Sequence, residues 1–364
     1  MNLNFSDEQV MLRDQLQKFC ETEYDFNKRE EILKSNKDFD ENAWSLFAEQ
    51  GWLSIPFSEE SGGFGFGPIE TSILFEEFGK ALVLEPYLAN VILSGSLLDK
   101  SNFKDKVSLI EGIATGESHI SLAYAESNNS LYDYDNLKTN FNASTLNGVK
   151  TLVLNGNNAN KFIVLASSND GPILVIVDSD ADGVSIKAMQ TIDGQSCAEV
   201  SFDNVVVVDD SIIASGGDAK KLFDDVINFA CLCVSAEAVG CMTACYEKTV
   251  QYTKEREQFD QPISNFQVLQ HRMVDMFIES EICRSLLFKA MLETDADLET
   301  KYKSVSALKA QIGKSGKFSA EQAVQLHGGM GVSEEMMIGH YLKKLIYIDA
   351  LFGNSDYHIE KYSK

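Results

Sequence analysis

Residues able to do chemistry are few in this chain, and most stand apart from one another. The seven cysteines (Cys20, Cys197, Cys231, Cys233, Cys241, Cys245 and Cys283) are an odd number, and their spacing is not that of a zinc site. Cys241 and Cys245 lie four apart, on one helical face, but a metal would need further ligands. The five histidines, His119, His271, His327, His340 and His358, do not cluster with them. The thiols are therefore expected to be buried and reduced, packing as small hydrophobes. That usage fits a reducing cytosol. Gly328 and Gly329 let backbone come close to another group, because no Cβ intrudes. Read alone, the pair serves equally well as a helix C-cap.

The balance of charge narrows the partners. Lys plus Arg is 31 against 55 for Asp plus Glu, a net charge of −24. Such a field repels a polyphosphate backbone, which argues against nucleic acid, and Lys343-Lys344 is too small a basic patch to oppose it. With 364 residues, 44% of them hydrophobic, a large core in two or three domains is expected. No run of about 18 apolar residues predicts a membrane span. Met1 to Phe5 carries no basic region leading into an apolar run, so no signal peptide is expected and a cytoplasmic location is.

The elements that must position these residues change character twice. Ser6 with Gln9 reads as a capping box, Phe5 with Val10 as a hydrophobic staple, and Leu12, Leu16, Phe19 and Cys20 as one helical face. After a turn-rich stretch from Ser61 to Gly67, Pro68 opens a helix whose buried face is Leu74, Phe78, Ala81 and Leu82. From about residue 118, short β-branched runs predict strands: 120–124, 150–154, 162–166, 173–177 and 205–208, with Val200 and Phe202 alternating as in a half-buried strand. Their even spacing suggests a small β-barrel or sandwich. Helical periodicity returns over roughly 220–255, 265–295 and 300–326, with a shorter segment after 333. Ser264 with Gln267 reads as a second capping box. Long helices with short connections predict an antiparallel bundle. The expected domains are 1–117 (helical), 118–214 (β) and 215–364 (helical bundle).

This order resembles the acyl-CoA dehydrogenase fold: an N-terminal helical domain, a central β-barrel domain and a C-terminal four-helix bundle, mainly α overall. Specific residues carry the resemblance. Arg256-Glu257-Gln258-Phe259 with Pro262-Ile263, then Phe266-Gln267 and Gln270-His271, looks like the family's "R-x-x-F-G-x-P-I … F-Q … Q-H" block. Gln325-Leu326-His327-Gly328-Gly329-Met330-Gly331 looks like its "Q-x-x-G-G-x-G" block. Gly51-Trp52-Leu53, Glu59 with Gly62-Gly63, and Glu76-Glu77-Phe78-Gly79 match its N-terminal signatures. The resemblance covers essentially the whole chain. It implies FAD as cofactor, held by Arg256, Gln258, Phe259, Gln270, His271, Gln325, Gly328 and Gly329. A guanidinium suits the FAD pyrophosphate, because its fork pairs bidentately and keeps its charge. In the family the matching Gln and second Gly contact FAD across a dimer interface, so the resemblance implies a dimer or tetramer.

The same comparison shows departures. Family members abstract a proton α to the thioester with a carboxylate. Phe352, within Leu351-Phe352-Gly353-Asn354, stands where the Glu of a "Y-E-G-T" segment belongs, and Ala230 stands at the alternative position on the bundle helix. The "T-E-P-x-A-G-S-D" segment reads Ala125-Glu126-Ser127-Asn128-Asn129-Ser130-Leu131-Tyr132, keeping only the Glu. The "W-I-T-N" segment that covers the flavin ring reads Leu152-Val153-Leu154-Asn155. Asn228 and Cys231 take the places of an Asp and an Arg that bind acyl-CoA. Glu237 and Asp349 are the candidate replacement bases, with structural roles favoured for both.

No catalytic residue is therefore assigned. The pattern resembles the small, beta-type subunit of pimeloyl-CoA and steroid side-chain acyl-CoA dehydrogenases, which pairs with a Glu-bearing paralogue that takes the acyl-CoA. Electron-transfer flavoprotein would be the acceptor. A self-sufficient homomeric enzyme with a relocated base, and a non-catalytic binding or scaffold protein on the same fold, remain as alternatives.

Overall fold

Ser6 sets the first helix. Its Oγ accepts from Gln9 N (3.2 Å), and Gln9 Oε1 accepts from Ser6 N (2.9 Å), so the expected capping box forms at the head of α1 (Asp7–Thr22). The expected staple does not: Val10 is 44% exposed, and the Phe5 ring packs 6.1 Å from that of Phe288. The structure, a computed structural model, describes residues 5–35, 37–126 and 134–364. The further helices are α2 (Phe26–Lys34), α3 (Glu41–Glu49), α4 (Pro68–Ala81), α5 (Ser96–Lys100), α6 (Lys106–Ala114), α7 (Gly216–Glu255), α8 (Gln267–Leu292), α9 (Leu298–His327), α10 (Met337–Ala350) and α11 (Ser355–Ser363).

Contacts divide the chain into two units, one of Met1–Glu31, Pro68–Val83 and Cys231–Lys364, the other of Ile32–Gly67 and Leu84–Ala230. In the first, α8, α10 and α11 pack on α9, and α1 packs on α4. The α4–α7 crossing needs glycine on both sides. A Cβ at Gly79 would stand 2.0 Å from Glu237 O, and one at Gly240 would stand 1.9 Å from Glu76 O. Six cysteines are buried, Cys20 is half-buried, and none of the seven forms a disulfide with another described residue. Among the described residues no group of three or more His, Cys, Asp or Glu could hold a metal.

The second unit holds one eight-stranded sheet. Its strands are β1 (Ile120–Ala123), β2 (Asn140–Asn142), β3 (Thr145–Leu154), β4 (Lys161–Ser168), β5 (Gly171–Asp178), β6 (Val184–Gln190), β7 (Ser196–Val206) and β8 (Ile212–Ser215). The order is β6-β7-β3-β2-β4-β5-β8, with β1 parallel on β4. β1, β3, β4, β5 and β7 fold over one core containing Phe162, Val164, Val175, Val200 and Phe202. A buried π-helix, Leu88–Gly95, packs against β1, where Asn90 accepts from Ile120 N (2.8 Å).

Three expectations need correction. The Ser264–Gln267 capping box is absent. Ser264 lies in a 3₁₀ turn (Ile263–Asn265), α8 begins after Phe266, and no side chain caps it. The strand expected over 205–208 is the tail of β7, which ends at Val206. And α7, by length and apolar composition, would suffice to cross a membrane, although its most apolar stretch is 89% buried within the fold.

Candidate functional site

At the end of α7, Arg256 N donates to Tyr252 O (2.8 Å), and the chain turns into a two-stranded hairpin: β9 (Glu257–Gln258) pairs antiparallel with β10 (Gln261–Pro262). Ile263 N donates back to Arg256 O (2.8 Å). The loop residues Phe259 (φ 56°) and Asp260 (φ 59°) are both left-handed, as a two-residue I′ turn requires. That turn favours Asn and Gly. A non-glycine residue there carries backbone strain of roughly 1–3 kcal/mol, and such strain gathers at ligand clamps. Phe259 is 84% exposed, with only the Phe266 ring edge-on at 6.0 Å. Arg256 is exposed and has no ion pair among the described residues. Gln258 Nε2 donates to Glu257 O (2.9 Å) and Gln270 Nε2 to Ser264 O (2.9 Å), and His271 is exposed on the first turns of α8.

The glycine block ends α9. Gly328 N donates to Gln325 O, and Gly328 adopts φ 59°, ψ −138°, a conformation that side chains oppose. Gly329 is different: its φ is not left-handed, and a Cβ there would meet nothing within 4 Å. Nothing among the described residues demands a glycine there, so the space over it can take a group from outside. Gln325 is exposed beside it.

Sequence reasoning missed what joins the two blocks. The rings of Tyr252 and His327 stack at 4.2 Å and 23°, and Tyr252 Oη donates to His327 O (3.5 Å). His327 is buried, and its Nδ1 donates to Ala323 O (2.8 Å). Burial pushes the His327 pKa down. Tyr252 is one turn before Arg256, and His327 directly precedes Gly328. The Arg256 hairpin and the glycine turn are thus linked within one chain through this stack. The only sequence signal was an aromatic residue at fixed offset from each block.

The two base positions hold no acid. Ala230 is fully buried, and so is Phe352, held at φ 61°. Phe352 O accepts from His358 Nε2 (3.1 Å), and Lys309 Nζ donates to Asp349 O (3.0 Å) and Gly353 O (2.9 Å). Burial lowers the Lys309 pKa to about 8; burial, with Lys309 and Lys361, lowers that of His358 to about 3. Both candidate replacements are engaged. Glu237 Oε1 pairs with Lys344 Nζ at 2.7 Å, both side chains buried. Asp349 Oδ1 accepts from Ser355 N (3.0 Å), at the start of α11.

Just past the end of β1, Glu126 is also engaged. It accepts from Lys150 Nζ (2.8 Å), Lys138 N (2.8 Å) and Thr139 N (2.9 Å). Burial acts to raise its pKa, but these partners overcome it and hold it at about 2. Lys150 is fully buried and pushed down to about 8 by burial. Ser127 to Tyr132, the rest of that segment, lie outside the described residues. Leu152 (φ 50°) sits in an irregularity of the β3–β7 pairing, Leu154 is buried, and neither offers a hydroxyl or an aromatic face.

Three family models match the chain: acyl-CoA dehydrogenase N-terminal domain over residues 6–117, middle domain over 121–205 and C-terminal domain over 221–364. The probable acyl-CoA dehydrogenase YngJ of Bacillus subtilis is 28% identical, over 98% of this chain and 97% of that protein. Among solved structures, the ChsE4–ChsE5 complex from Mycobacterium tuberculosis matches with a TM-score of 0.91 at 21% identity, over 100% of this chain and 98% of that one. The FAD complex of PigA matches with a TM-score of 0.89 at 23% identity, over 100% and 98%.

Proposed function

The chain belongs to the acyl-CoA dehydrogenase family, and from that premise we propose that it is the subunit of a heteromeric, FAD-dependent enzyme that binds the cofactor's diphosphate end and leaves proton abstraction to a paralogous partner. The observation that carries this reading is Phe352, an apolar side chain fully buried where a catalytic carboxylate belongs.

The retained residues fit the cofactor. Arg256 is an exposed fork that no carboxylate among the described residues pairs with, suited to pair with a pyrophosphate. Gly329 offers a backbone surface that nothing among the described residues covers. Gln325 is exposed on the last turn before it, and Gln258, Phe259, Gln270 and His271 are exposed on the hairpin and the start of α8. Bound FAD supplies the acceptor for the β-hydride of the thioester. The α-proton needs a carboxylate within hydrogen-bond reach. Here Glu237 is committed to Lys344 and Asp349 to the start of α11, so the base comes from a Glu-bearing subunit, which also takes the acyl-CoA. Val274, Ile278 and Ile282, each four residues apart, leave an exposed apolar stripe on α8, which suits assembly as a dimer or tetramer. Electron-transfer flavoprotein is the proposed acceptor. The free cysteines fit a reducing cytoplasm.

Arg256→Ala tests the reading. A charge-assisted bidentate contact is worth roughly 1.5–3 kcal/mol, so the variant should lose most of its FAD on gel filtration. Flavin absorbance equal to wild type would contradict the clamp. Phe352→Glu should restore little turnover to the lone chain, because the ring-covering side chains are still missing.

A further inference from the structure

The stack that joins the ends of α7 and α9 has no part in the chemistry above, yet it links the two helices that carry the two halves of the proposed clamp. Arg256 and its hairpin lie at a helix terminus whose last turn is exposed at Gln251, Lys254 and Glu255. Helix ends fray unless something ties them down. Thr253 Oγ1, which donates to Val250 O (2.9 Å) and lies 3.2 Å from Met273 Sδ, faces α8 and not the glycine turn. The Tyr252–His327 stack supplies the link to that turn. His327 is itself fixed, because its Nδ1 proton goes to Ala323 O. The ring is thus orientated by its own helix and meets the tyrosine face to face.

We infer that Tyr252 and His327 are positioning residues that hold the Arg256 guanidinium at a fixed separation from the Gly328–Gly329 turn, so that one chain grips the ADP half of a dinucleotide as a preformed site. This rests on the proposed cofactor clamp. It adds that affinity depends on residues that do not touch the ligand.

The test is a double-mutant cycle in the full chain, in whatever assembly it purifies, with FAD affinity read by flavin fluorescence and ADP-ribose as a competing probe. Tyr252→Leu should weaken FAD and ADP-ribose about three- to tenfold, the size of a lost aromatic pair. Tyr252→Phe keeps the ring and should bind like wild type. If Tyr252→Leu does not fold, His327→Leu against His327→Phe carries the same comparison. The variant acts through Arg256, so adding Tyr252→Leu to Arg256→Ala should cost almost nothing more. Additive losses, or a Tyr252→Leu affinity equal to wild type while Arg256→Ala is impaired, would overturn the positioning role and leave the clamp standing. An Arg256→Ala variant with wild-type affinity would instead overturn the clamp itself.

Discussion

Lys344→Met removes a counter-charge from a buried carboxylate, and this gives the sharpest check on whether Glu237 is structural or catalytic. The two side chains are 6% and 4% exposed and meet at 2.7 Å. Removing one partner of a buried pair typically costs about 3–5 kcal/mol, because the remaining charge has lost both water and its counter-charge. Replacing both partners with apolar or neutral groups is often close to neutral. Lys344→Met should therefore lose about 3–5 kcal/mol in urea unfolding, and Glu237→Gln/Lys344→Met should recover most of it. Protonating the remaining carboxylate relieves the cost, so the deficit of Lys344→Met should shrink as pH is lowered. If Lys344→Met is within about 0.5 kcal/mol of wild type, the pair does not hold Glu237. If Glu237→Gln also abolishes turnover at unchanged stability, Glu237 is the base and the reasoning fails.

Three further outcomes follow from the same geometry. Arg29 Nη1 donates to His340 Nδ1 (3.0 Å) and His340 Nε2 donates to Glu334 O (3.0 Å), so this histidine is neutral; burial, then Arg29 and Lys343, hold its pKa below the usual value. Its contribution to stability is full above about pH 6.5, and is lost as pH falls through the lower folded value; His340→Gln should flatten that part of the profile, and an unchanged acid slope would refute the assignment. Gly240→Ala drives a Cβ into Glu76 O and should cost about 1–3 kcal/mol or prevent folding; a thermal midpoint equal to wild type would show that the α4–α7 crossing is looser than described. A thiol reagent on the native protein should label Cys20 first and leave Cys245 and Cys283 intact, since burial pushes both thiols up to about 12; rapid labelling of the buried set, seen by mass spectrometry, would contradict their burial.

What the sequence made legible was local or strongly periodic. Ser6–Gln9 could be read because both halves of the box lie within one turn. Ser264–Gln267 has the same spacing and failed, because Pro262 and the 3₁₀ turn carry the chain past Ser264 before the helix begins. The four longest helices of the C-terminal half, α7 to α10, and the core strands β4 and β5 announced themselves by apolar period. β6 did not: it is exposed along most of its length and so lacks the alternation that burial imposes. β8 and α11 were too short to stand out. Around the candidate site, the motifs proposed to face the cofactor and the apolar residues at positions 230 and 352 were visible as residue types in order. The pairs that decide their roles were not. Glu237 with Lys344, Glu126 with Lys150, and Tyr252 with His327 each join distant parts of the chain, and only the fold brings them together.

The most direct measurement is steady-state reduction of a ferrocenium-type acceptor over a panel of acyl-CoAs, by the purified FAD-loaded chain alone and after addition of a Glu-bearing family partner. The account predicts no useful turnover from the chain alone, since loss of a general base typically costs about 10²–10⁴-fold. It predicts activity on adding the partner, and loss of that activity when the partner's Glu becomes Gln. Turnover of about 1–10 s⁻¹, ordinary for an enzyme, by the lone chain would contradict it.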